Sequence, residues 1–98
     1  METPNEKKGD YTLIVPLNRE KSKMATFHMK DMTEEVFLAA RSLNEKGKEL
    51  EAVRLMVKNL TISGDDPNLL KDNFIATQSA SFLLAELMKP VEGELKKN

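Results

Sequence analysis

Met24-Ala25-Thr26-Phe27-His28-Met29-Lys30-Asp31-Met32-Thr33-Glu34-Glu35-Val36-Phe37 is the stretch that decides the fold of this chain. Up to Lys30 the residues alternate in twos. Ala25, Phe27 and Met29 fall on one side and Thr26 and His28 on the other, the period of a strand with one buried face. From Thr33 onward, apolar residues recur at helical spacing almost to Pro90. Thr33 is suited to cap a helix N-terminus, and Glu34 and Glu35 follow where the positive end of the helix dipole favours acids. Met32 before the cap and Phe37 within the helix have the spacing of a hydrophobic staple.

Toward the N-terminus, Tyr11-Thr12-Leu13-Ile14-Val15-Pro16-Leu17 is rich in β-formers, with Tyr11, Leu13, Val15 and Leu17 on one face. Pro16 has no N–H to give a ladder, which predicts an edge position or a strand end there. Asn18 to Lys23 is a polar loop. Two strands alone are marginal in water, so a helix must cover them. Phe27, on the strand's apolar face, and Phe37, on the helix stripe, are both expected to be buried.

Toward the C-terminus, Val36, Phe37, Ala40 and Leu43 make the first helical stripe, ended by Asn44-Glu45-Lys46-Gly47. A second helix spans about Lys48 to Leu60, with Leu50, Val53, Val57 and Leu60 on its main face. Leu55 points almost opposite that face. This helix is therefore apolar on two sides, and is either sandwiched between other elements or meets a partner. Thr61-Ile62-Ser63-Gly64-Asp65-Asp66-Pro67-Asn68 has dense turn chemistry and reads as a break. A third helix spans about Asp72 to Lys89, stopped by Pro90. Its main face is Ala76, Ala80, Leu83, Leu84 and Leu87, and Ile75 and Phe82 lie well off it. The expected architecture is α+β, an N-terminal β-hairpin packed on a small bundle of about three helices. The domain spans 11–90, between a disordered N-terminus at 1–10 and a flexible tail at 91–98.

Composition narrows the function classes. Fifteen basic and sixteen acidic residues among 98 leave a net charge of −1, which argues against a dedicated nucleic-acid binder. The small basic loop of Arg19, Lys21 and Lys23 has no interleaved aromatic on which a base could stack. The chain contains no cysteine, so disulfides, thiolate chemistry and cysteine-ligated zinc are excluded. The first residues lack the apolar core of a signal peptide, and no run approaches the roughly 18 apolar residues of a membrane span. The expected compartment is the cytoplasm.

No motif names a reaction. His28, the single histidine, has neither a second histidine nor a cysteine with which to hold zinc, and no nucleophile beside it. Asp65, Asp66 and Asp72 lack the alternating ligands and closing glutamate of a calcium loop, and read as a turn and a helix cap. Glu34/Glu35 and Glu49/Glu51 read as charges at helix starts. No catalytic residue, cofactor or metal is expected. The informative surplus is apolar: Leu55, Ile75 and Phe82 are large and off the main stripes. Either they complete a three-layer core or they form an interface with another protein or a second copy of this chain.

Four stretches carry a family resemblance. They are Ala25-Thr26-Phe27-His28-Met29-Lys30 leading into Thr33-Glu34-Glu35-Val36; Glu51-Ala52-Val53-Arg54-Leu55-Met56-Val57; Ser63-Gly64-Asp65-Asp66-Pro67; and Leu83-Leu84-Ala85-Glu86-Leu87-Met88. In order, length and composition, the region from about Ala25 to Met88 resembles the tail assembly chaperones of tailed bacteriophages and prophages. The resemblance implies a non-enzymatic protein that binds the long, aggregation-prone tape-measure protein and helps tail-tube protein assemble around it. It also implies that a longer form could arise by ribosomal frameshifting. The rival expectation is another small cytoplasmic interaction or regulatory module.

Overall fold

The hairpin forms in the register that the alternation requires. In the computed structural model, which describes residues 9–98, β1 (Tyr11–Pro16) pairs antiparallel with β2 (Met24–Met29), setting Leu13 opposite Phe27 and Val15 opposite Ala25. Residues 1–8, most of the segment expected to be disordered, lie outside the described residues. Gly9 and Asp10, counted with that segment, are tied to the sheet. The Asp10 amide donates to the Met29 carbonyl at 2.9 Å, and its carboxylate accepts from the Asp31 amide at 2.9 Å. β1 is an edge strand, as Pro16 requires.

The chain then enters α1 (Glu34–Glu45), capped by the Thr33 hydroxyl, which accepts from the Val36 amide at 3.3 Å. Gly47, at φ +76°, reverses the chain at the helix end, where the Lys48 amide donates to the Leu43 carbonyl. The second helix, α2 (Glu49–Leu60), runs directly into a four-residue strand, β3 (Thr61–Gly64). β3 pairs with β2 and makes the sheet three-stranded, in the order β1-β2-β3. The segment that turn chemistry marked as a break therefore begins as a strand. Its pairing is long-range and irregular, with a bulge between His28 and Met29. Gly64 sits at φ +98°, and a Cβ there would meet the Thr26 carbonyl oxygen at 2.5 Å, so only glycine fits. The Asp65 carboxylate extends the pairing by accepting from the Thr26 amide at 2.8 Å.

Asp66 caps a short 3-10 helix, Pro67–Leu70, which the sequence reading did not anticipate. Leu70 from this turn is fully buried, and its carbonyl is held from two sides. Arg54 Nε donates to it at 3.0 Å, and the buried Thr77 hydroxyl lies 2.9 Å away. The last helix, α3 (Phe74–Met88), starts two residues later than expected. Its cap is Asn73, whose Oδ1 accepts from the Ala76 amide while Nδ2 donates to the Leu17 carbonyl. That second bond pins the start of α3 to the end of β1, so the helix runs antiparallel to that strand.

Leu13, Val15, Ala25, Phe27 and Met29 from the sheet share one core with Val53, Met56, Val57 and Leu60 of α2 and Ala76, Ala80 and Leu84 of α3. α2 contacts α1, α3, β2 and the 3-10 helix, which is why it is apolar on two sides. α1 packs chiefly on α2. One neighbour covers only a narrow stripe of it: Val36 and Ala40 are buried, whereas Phe37 is half-buried, contrary to the expectation of full burial. Residues 91–98 form no helix or strand and are exposed.

Candidate interaction surface

α3 carries no charged residue from Phe74 to Ala85. A helix without charge is normally enclosed on all sides. Here full burial is confined to one side, where Ala76, Thr77, Ala80 and Leu84 face the core. At 100° per residue, Phe82 lies opposite that group. It is 83% exposed, and Phe74 and Leu83 are 51% and 45% exposed. Leu83 belonged to the expected main face, but the core centres on Ala80 and Leu84 and leaves Leu83 on a flank. From that flank it borders a groove of about 180 Å³, shared with Tyr11 and Ile14 of β1 and Leu87 of α3. The groove joins the Leu83 flank of α3 to the edge strand, with Glu86 also on its wall.

Of the three residues singled out by periodicity, Phe82 is the most exposed. Ile75 is half-buried, one heptad earlier on the same side of α3. Leu55 is also half-buried, but it packs against the core and borders a cleft with Arg54, Pro67 and Lys71 beside the 3-10 helix. Leu55 therefore helps close the core, and Phe82 does not. The sequence reading missed Phe74 as a companion of Phe82 on α3, and Tyr11 and Ile14 as neighbours of Leu83. The signal that could have found Phe74 is the uncharged run of α3 itself.

The polar candidates take structural positions. His28 lies on the outer face of β2, only 8% exposed, with Nδ1 3.2 Å from the Thr12 hydroxyl oxygen. Asp65 and Asp66 accept backbone amides, and Asp72 adopts φ +60° just before the Asn73 cap. Among the described residues, no group of three or more His, Asp or Glu side chains is placed to hold a metal ion. No helix among them is long and apolar enough to cross a membrane. Compared with protein-family models, with curated proteins and with solved structures, the chain matches none.

Proposed function

We propose that this chain is a non-enzymatic, cytoplasmic assembly chaperone of the phage-tail type. It holds a long apolar helical protein, the tape-measure protein, until tail-tube protein assembles around it. The observation that carries this reading is the outer face of α3, uncharged from Phe74 to Ala85, with Phe82 almost fully in water. Such a face is costly for a monomer to leave wet and is useful only when something covers it. A helical client would lay its apolar stripe along α3, with anchors at i, i+3/i+4 and i+7 against Phe82 and Leu83. The interface stays small, so capture is reversible and the client can be passed on.

The test is co-expression with a tail tape-measure protein from the same genome. The expected result is a severalfold rise in soluble tape-measure protein and its co-purification with the chain. An unchanged soluble fraction would contradict the proposal.

A further inference from the structure

The outer edge of β1 is an open row of hydrogen-bonding groups. The Leu17 amide donates to the Lys23 carbonyl at 2.8 Å, Val15 lies opposite Ala25, and Leu13 lies opposite Phe27. In an antiparallel ladder that alternation turns the Leu13, Val15 and Leu17 amides toward β2. The N–H and C=O of Thr12 and Ile14 therefore point away from the sheet, and among the described residues they meet no partner there. Proteins normally blunt such an edge with charge, a bulge or a short strand. The opposite edge, β3, has only four residues and an irregular register against β2. β1 has six residues in unbroken register, and no charge falls between Tyr11 and Leu17. Pro16 blunts only its end.

We infer that this edge pairs antiparallel with the β1 edge of a second copy, joining the two sheets across a two-fold axis at Leu13. Thr12 of each copy then faces Ile14 of the other, and each such pair exchanges both of its backbone bonds. The ends of the strand select this register. Sliding to Ile14 on Ile14 sets Thr12 against Pro16, which has no N–H, so the Thr12 carbonyl gains no donor. Sliding to Thr12 on Thr12 sets Ile14 against Asp10, whose amide is already bonded to the Met29 carbonyl, so the Ile14 carbonyl gains none. Only the register centred on Leu13 satisfies both groups of both residues, and the open stretch is its own complement. Asp10 falls opposite the second copy's Pro16, so like charges do not meet. A strand of six residues is about 20 Å long, and pairing along it covers less than the roughly 800 Å² per partner of a standard interface. The dimer is therefore weak and concentration-dependent. It uses the β1 edge and not Phe82, so it does not rest on the proposed function.

In sedimentation from about 1 µM to about 1 mM, the wild-type mass should rise from monomer toward dimer. As it rises, amide hydrogen exchange read by NMR should slow at Thr12 and Ile14, about tenfold once about nine in ten chains are paired. The Leu13 and Val15 amides, bonded to β2, should be protected throughout. Ile14→Pro removes an outward donor and no bond to β2, and should stay monomeric. Ile14→Lys puts a charge on the edge and should weaken pairing at least about tenfold, which decides the matter if the proline variant fails to fold. Phe82→Glu should pair as the parent does. A wild-type chain still monomeric at the highest concentration, an Ile14→Lys variant that pairs undiminished, or Thr12 and Ile14 amides that stay unprotected as the mass rises overturns the inference. Protection of those amides only when a tape-measure fragment is added also overturns it, because the edge then takes a foreign strand. Pairing that stays intact in a chain that solubilises no tape-measure protein overturns the proposed function alone.

Discussion

Replacing Phe27 by alanine is expected to lower folding stability by about 3–5 kcal/mol. Phe27 is fully buried at the centre of the middle strand, opposite Leu13, where sheet and helices meet. Its neighbours come from several elements and cannot all collapse into the space it leaves, so a cavity term adds to the lost transfer energy. Phe37→Ala, made on the half-buried flank of α1, should cost only about 1 kcal/mol. Urea titration of the two variants beside the parent reads both values. A loss below about 1 kcal/mol for Phe27→Ala would contradict the packing of the sheet on the helices.

Leu70→Ala is the second large effect, about 2–5 kcal/mol, although the residue lies outside the main helices and the sheet. Leu70 is fully buried and joins the core from the 3-10 helix, while its neighbour Leu69 is 41% exposed. Leu69→Ala should therefore stay within about 1 kcal/mol. The Leu70 carbonyl is held by Arg54 and lies against the Thr77 hydroxyl, so the backbone cannot easily move in to fill the gap. Equal, small losses for both leucines would mean that this turn does not close the core.

These two residues mark where the sequence was legible and where it was not. Phe27 sits in a strict alternation beside a second one, and the hairpin, its register and the Thr33 cap follow from signals within a few residues. Pro90 likewise predicts the end of α3 within two residues. β3 and the 3-10 helix were hidden because their evidence is not local. Phe27 pairs with Gly64 across much of the chain. Ser63, Gly64, Asp65 and Asp66 carry turn chemistry whether or not a strand lies beside them. Phe82 was legible as an outlier from the helical stripe, since its angle on α3 depends on spacing alone. Leu55 was an outlier by the same criterion. Its burial depended on the unseen 3-10 helix, so periodicity could not separate it from Phe82. Phe37 failed for a related reason: the width of a buried stripe depends on how many neighbours a helix has, which spacing does not reveal.

The central claim is that the outer face of α3 serves association and not folding. The most direct measurement is a paired one on Phe82→Ser: unfolding free energy at low protein concentration, and affinity for the tape-measure protein. Stability within about 0.5 kcal/mol of the parent is predicted, because a residue that is 83% exposed loses little on truncation. Affinity should fall at least about tenfold, or about 1.4 kcal/mol. A variant that melts far below the parent, or that binds the proposed client undiminished, would contradict the account.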